Sequence, residues 1–127
     1  MSDRPELIVR AALFTTEGDF DGAMAAVAEQ ADGSGFALHF LRARAFDEGD
    51  RAQGTNTYCV TTNEGNTEYG AIVDWDRGPR HLDLEMHPDA ARRLHVPERF
   101  RLLLRADRMS NERFLEGIAT ILDAPEE

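Results

Sequence analysis

Alternation of apolar and polar residues with a period of two runs through most of this 127-residue chain, and it predicts a fold built mainly of strands. The pattern is clearest at residues 81–86 and 99–105, where leucines, Met86 and Phe100 alternate with polar side chains. Successive side chains of a strand point to opposite faces of the sheet, so each segment predicts one buried face and one wet face.

Other segments extend this pattern. We predict strands over Leu7–Thr16, Phe36–Arg44 and residues 68–76, and a hairpin whose turn is Asn63-Glu64-Gly65-Asn66. In the strand 68–76, Tyr69 and Trp75 are predicted to face the core. Ala23–Gln30 is ambiguous, because its alanines favour a helix while its apolar residues also alternate; we interpret it as a strand.

Two helices are predicted in the second half of the chain. Pro88 suits a first helical position, so Pro88–Leu94 is predicted to be a short helix. Ser110–Leu122 has one apolar stripe at helical spacing, with Ser110 as the predicted N-cap and Met109 and Phe114 as a predicted hydrophobic staple. The expected fold class is α+β, with both helices packed on an antiparallel sheet of about six or seven strands in one domain, residues 1–127.

Charge is unevenly distributed along the chain. The net charge is −10, and residues 47–76 contain seven acids and one base, Arg51. Such a surface can steer a basic partner, or it can simply keep the protein soluble. An acidic balance argues against binding to nucleic acid, which requires a basic face.

The sequence offers little catalytic chemistry. None of the three serines lies in a G-x-S-x-G elbow, and the four histidines lack the spacing of a zinc site. Residues 17–22 imitate the start of a calcium loop, but Ala28 occupies the position of the closing glutamate. Cys59 is predicted to pack as a small hydrophobe. We therefore expect a protein that is not an enzyme and needs no metal or cofactor.

The expected location is the cytoplasm. The short apolar run near the N-terminus lacks the features of a signal peptide, and no stretch approaches the length of a membrane span. Cys59 is the only cysteine and cannot form an internal disulfide, which fits a reducing compartment.

The order of features in residues 23–122 resembles the Immunity protein 10 family of bacterial polymorphic-toxin systems. The resemblance rests on a hairpin leading into "FALHFLRAR", on "TYCVTTNEGNTEYGAIVDWD" with its Tyr69-Gly70 step, and on "LDLEM", "DAARRL", "FRLLL" and "ERFLEGIATIL". It implies a cytoplasmic antitoxin that binds a cognate toxin domain, with no catalytic residues of its own. Many toxin domains are nucleases with basic clefts, which an acidic protein could occupy.

The resemblance suggests where a partner would bind. We expect the acids of the 47–50 loop and of the hairpin to converge on one surface: Asp47, Glu48, Asp50, Glu64, Glu68, Asp74 and Asp76. The next candidate surface is the arginine-rich strand with Arg99, Arg101 and Arg105. Two other hypotheses remain open: a non-catalytic adaptor or subunit of a larger bacterial assembly, and a small-molecule binding or enzymatic domain with a concave pocket.

Overall fold

The computed structural model describes residues 5–17, 22–43, 52 and 57–122. Within these ranges the helices are α1 (Pro88–Leu94) and α2 (Arg108–Leu122). The strands, in chain order, are β1 (Glu6–Val9), β2 (Ala11–Thr15), β3 (Gly22–Ala28), β4 (Ala37–Ala43), β5 (Cys59–Thr62), β6 (Thr67–Tyr69), β7 (Ile72–Arg77), β8 (His81–Met86) and β9 (Arg99–Leu104).

The strands form two sheets. A four-stranded sheet has the order β1-β9-β8-β7, with β1 parallel to β9, and an antiparallel five-stranded sheet has the order β2-β3-β4-β5-β6. The predicted α+β class is confirmed, and β3 confirms that the ambiguous segment is a strand. The expectation of one sheet did not anticipate this division, which arises because the chain crosses between sheets at two points.

The first crossing divides the predicted strand Leu7–Thr16 at Arg10. Val9 on β1 is buried, and Leu13 on β2 is 45% exposed, although period-two alternation puts both on one face. The backbone N–H of Arg10 donates to the carbonyl oxygens of Ala28 and Glu29, which ties the chain to β3 immediately after β1 ends. The phase of the pattern therefore changes at Arg10, where the chain changes sheets.

The second crossing divides the predicted strand 68–76 at Gly70 and Ala71. Gly70 has a φ of +60°, a left-handed conformation that favours glycine. A register shift between Ile72 and Asp74 then adds an irregularity to β7. As a result Tyr69 is 49% exposed, so its predicted core position is wrong, while Trp75 packs against the core as predicted.

One buried apolar cluster joins both sheets and both helices. Its largest fully buried side chains include Phe40 on β4, Phe100 on β9 and Phe114 on α2. The rings of Phe40 and Phe114 meet edge to face, with centroids 6.2 Å apart. Helix α2 contacts β2, β3 and β4. The predicted alternation of buried residues is confirmed on β9, and on β8 except at Asp83, which was expected on the wet face and is only 8% exposed.

Helix α1 has the predicted bounds, and α2 begins two residues before the predicted start. Asp107 is the residue whose side chain caps α2, because its carboxylate accepts hydrogen bonds from the Ser110 backbone N–H (2.9 Å) and hydroxyl (2.7 Å). Ser110 and Met109 therefore lie inside the helix. Met109 is 69% exposed, so the predicted cap and staple are both wrong.

Candidate functional site

Asp74 and Asp76 lie on β7, at one edge of the four-stranded sheet. Asp74 pairs with Glu85 and Asp76 pairs with Asp83 across the β7–β8 ladder. Paired residues of antiparallel strands project from the same face, which here is opposite to the face bearing the buried leucines of β8. Four carboxylates thus lie side by side on this face of the sheet.

The next strand, β9, adds two guanidinium groups to the same face. Arg101 binds Asp83 with two hydrogen bonds, of 2.7 and 3.1 Å, and Arg99 lies 3.4 Å from Glu85. The hydrogen bonds that Arg101 donates to Asp83 raise the pKa of Arg101. We call the surface formed by Asp74, Asp76, Asp83, Glu85, Arg99 and Arg101 the acidic sheet face.

The charge on the acidic sheet face is unevenly spread. Both arginines are opposite Asp83 and Glu85, whereas Asp74 and Asp76 are exposed at the edge strand, where the structure contains no ion pair of either with another described residue. The surplus negative charge is therefore on β7. The arginine-rich strand that was the second sequence candidate contributes Arg99 and Arg101 to this same face.

Glu64 and Glu68 occupy a different place. Glu68 Oε1 on β6 lies 2.9 Å from the guanidinium of Arg93, and Glu64 Oε1 lies 3.2 Å from His95 Nδ1. The hydrogen bond that Arg93 donates to Glu68 raises the pKa of Arg93. These two acids connect the hairpin to α1 and the residue that follows it, so the structure does not unite them with Asp74 and Asp76 in one cluster.

The remaining predicted site residues, Asp47, Glu48 and Asp50, lie outside the residues that the structure describes. The hairpin itself is confirmed: β5 and β6 are paired, and Gly65 in the turn has a φ of +88°. Of the seven predicted acids, only Asp74 and Asp76 remain as neighbouring, exposed carboxylates in the described part of the chain.

The outer face of the five-stranded sheet differs in chemistry. Its described residues, which project away from the core cluster, include no Asp, Glu, Lys or Arg. Leu13 is 45% exposed and Tyr69 is 49% exposed on this face. Sequence reasoning missed Tyr69 as a surface residue, although Gly70 inside a strand pattern is a signal of a bend.

The described side chains offer few groups for catalysis. Burial raises the pKa of the Cys59 thiol, so the thiol stays protonated and is a poor nucleophile. Among residues 5–17, 22–43, 52 and 57–122, no three His, Cys, Asp or Glu side chains are grouped as a metal ion would require. Neither helix in those ranges is long and apolar enough to cross a membrane.

Comparison with known proteins gives one finding. A family model described as Immunity protein 10 matches residues 8–112, which include eight of the nine strands in full and the first turn of α2. No curated protein and no solved structure matches the chain. The match covers both charged regions described above, the acidic sheet face and the contacts between the hairpin and α1.

Proposed function

Because the chain belongs to the Immunity protein 10 family, we propose that it binds a cognate toxin domain and neutralises it by occupying a functional surface of that toxin. The family match over most of the chain is the observation that supports this proposal. The inhibitor acts in the cytoplasm of the cell that makes it, as part of a bacterial polymorphic-toxin system. Inhibition of this kind needs a stable fold and a complementary surface and no catalytic residue.

We propose that the acidic sheet face is the surface that meets the toxin. Its side chains project from paired strands over a packed core, so little conformational freedom is lost when a partner docks. Asp74 and Asp76 provide exposed negative charge at the edge of this surface. Charges of one sign on such a surface accelerate the approach of a basic partner by roughly 10 to 1,000-fold.

The experiment compares two double variants against the cognate toxin domain. Asp74→Lys with Asp76→Lys changes the acidic sheet face, and Glu98→Lys with Glu116→Lys makes the same change in net charge at exposed positions elsewhere. Both variants should melt close to the parent, because exposed charges contribute only about 0–1 kcal/mol per pair to folding.

Association kinetics at several salt concentrations separate the two variants. The β7 variant should associate roughly tenfold or more slowly than the parent at low salt, with a weaker salt dependence, while the control keeps most of the parental rate. The variant with Asp74→Lys and Asp76→Lys should also fail to protect cells that express the toxin. Equal losses in both variants would assign the effect to net charge alone, and a parent chain that forms no complex would refute the proposed function.

The outer face of the five-stranded sheet favours a second candidate function, that of a subunit or adaptor in a larger assembly. An uncharged surface with exposed Leu13 and Tyr69 is the kind of surface that a permanent partner covers. Leu13→Ser with Tyr69→Ser tests this candidate. Loss of toxin binding in this variant, with binding retained in the β7 variant, would transfer the interface to the five-stranded sheet.

A further inference from the structure

Four arginines line two adjoining hollows at one end of this acidic protein. One hollow, of 540 Å³, is lined by Arg80, Arg105 and Arg108, and the other, of 480 Å³, by Arg10 and Arg105. The hollows share Arg105 and Ala106, and we call the two together the arginine furrow. All four arginines are exposed.

The fold brings these arginines together from distant parts of the sequence. Arg10 lies at the crossing from β1 to β2, Arg80 precedes β8, Arg105 follows β9, and Arg108 begins α2. The parallel pairing of β1 with β9 places the ends of these two strands side by side, and the Arg105 backbone N–H donates to the Val9 carbonyl oxygen. From the sequence, Arg105 was expected only to share a strand with Arg99 and Arg101.

The arginine furrow carries cations that no described carboxylate neutralises. Its two carboxylates already have partners: Asp107 caps α2, and Glu112 Oε1 lies 3.1 Å from Arg108 Nε. In the described part of the chain, the structure contains no ion pair of Arg10, Arg80 or Arg105. Arg105 Nη1 does donate to the Leu104 carbonyl oxygen at 3.3 Å. Three guanidinium groups without a described carboxylate partner, in a chain of net charge −10, indicate a site for an anionic group.

A buried amide stabilises the wall of the larger hollow. Asn111, which lines the larger hollow, is 6% exposed, and its side-chain N–H group donates to the carbonyl oxygens of Leu104 and Ala106. These bonds fix the orientation of the amide, and its oxygen, Oδ1, has no hydrogen-bond partner. Oδ1 is shielded from solvent, so the amide holds the wall of the hollow in place and is not a contact point for a ligand.

We propose that the arginine furrow binds an acidic segment of a protein chain, with its carboxylates on Arg10, Arg80 and Arg105. These three arginines line two adjoining hollows, which suits carboxylates spaced along a peptide better than a single small anion such as inorganic phosphate. A nucleic acid carries a charge on every phosphate and is repelled by the acidic remainder of the protein. The inference rests on the proposed function only in that the partner is a protein.

The experiment measures binding of a short capped peptide in which glutamate alternates with alanine. Arg80→Gln with Arg105→Gln removes two cations of the furrow. Arg92→Gln with Arg113→Gln removes two exposed cations that line neither hollow, so both variants have a net charge of −12, from −10 minus two. The parent and the control should bind the peptide equally, and the furrow variant should bind it at least tenfold more weakly, because charge-assisted hydrogen bonds to guanidinium groups are lost.

Three further probes identify the ligand class: the same peptide with glutamine in place of glutamate, inorganic phosphate, and a single-stranded oligonucleotide. The inference predicts that only the glutamate peptide binds the furrow. Preferential binding of phosphate or the oligonucleotide, equal binding by both variants, or no peptide binding by the parent would each overturn it. Since no toxin is present in this assay, failure here leaves the toxin-binding proposal to its own test.

Discussion

At the scale of single residues, Gly117 determines how closely α2 approaches β2. A Cβ atom at this position would lie 2.1 Å from Cδ1 of the Phe14 ring, a distance at which the ring or the helix must move. The glycine therefore weakens the intrinsic preference for helix in order to allow this packing. The helical cost of a glycine is about 1 kcal/mol relative to alanine.

Gly117→Ala is therefore expected to destabilise the protein, although alanine is the better helix former. Overpacking against Phe14 costs about 1–3 kcal/mol, and the gain in propensity offsets about 1 kcal/mol of it, so the expected net loss is up to about 2 kcal/mol. Urea unfolding measures this change in the free energy of unfolding. Phe14→Leu should recover part of the loss in a double-mutant cycle, and Glu116→Ala is the control at an exposed neighbour. An unchanged or higher stability of Gly117→Ala would contradict the close packing.

Asp107 should make stability depend on pH. The hydrogen bonds from the Ser110 backbone N–H and hydroxyl hold the pKa of Asp107 below its ordinary value of 3.8. A group whose folded pKa is lowered stabilises the fold above its unfolded pKa, and it loses that contribution as the pH falls through the folded value.

The comparison is between the parent and Asp107→Asn, which keeps an oxygen that can cap α2 but removes the charge. The parent should be more stable by a constant margin above about pH 5, and the margin should shrink towards zero below about pH 4. Urea midpoints measured across this range test the prediction. Ser110→Ala removes the hydroxyl donor to Asp107, so it should reduce the difference in stability between Asp and Asn at position 107. A margin that grows in acid would mean that Asp107 is not held in its ionised form by the cap.

At the scale of elements, α2 is attached to both sheets through its carbonyl groups as well as its apolar stripe. Arg42 on β4 donates from Nε to the Ile121 carbonyl oxygen at 2.7 Å, and Arg77 on β7 donates to the Leu115 carbonyl oxygen. The Ile121 carbonyl is among the last four of the helix, which have no partner within it and carry partial negative charge, so a guanidinium group is well suited to that position. The Leu115 carbonyl lies within the helix, so the bond from Arg77 attaches the middle of α2 to β7.

The apolar stripe of α2 should dominate the stability of this element. Ile118 is fully buried, and Ile118→Asp would place an unpaired carboxylate in the core, at a cost of the order of 3–5 kcal/mol. Thr120→Asp introduces the same group at an exposed position of the helix and should change stability by about 0.5 kcal/mol or less. Equal melting temperatures for the two variants would show that the buried face of α2 is assigned incorrectly.

The elements also show which parts of the fold the sequence can predict and which it cannot. Alternation identified β4, β8 and β9, because a buried face repeats every second residue along a straight strand. It could not identify the changes of sheet at Arg10 and Gly70, since apolar residues continue in step through both points while the backbone turns. Of these two points, only Gly70 has a residue type that indicates a break in a strand.

The candidate site was predictable to a similar extent. Composition identified the acidic hairpin, and Asp74 and Asp76 are exposed as expected. The partners of Glu64 and Glu68 were not predictable, because they come from α1 and its C-cap, which reach the hairpin only through tertiary packing. The arginine furrow depends on the pairing of β1 with β9, two segments at opposite ends of the described chain.

At the scale of the whole molecule, the shared core predicts one cooperative unfolding transition. Trp75, the only tryptophan, reports on the four-stranded sheet, and far-ultraviolet circular dichroism reports on all elements. The two signals should change together on heating, because one apolar cluster joins both sheets. A chelator should not shift the transition. Separate transitions would mean that the sheets unfold independently, and a chelator-dependent shift would reveal a structural metal.

The parallel pairing of β1 with β9 has a consequence for synthesis on the ribosome. β1 is synthesised before the other described strands, yet its hydrogen-bonding partner begins only at Arg99, with seven strands and a helix between them. Pairing between segments so far apart in sequence is slow to form. The five-stranded sheet has its strands in sequence order and can assemble as it leaves the exit tunnel. The four-stranded sheet must wait, so the acidic sheet face and the arginine furrow both come into existence only after β9 has emerged.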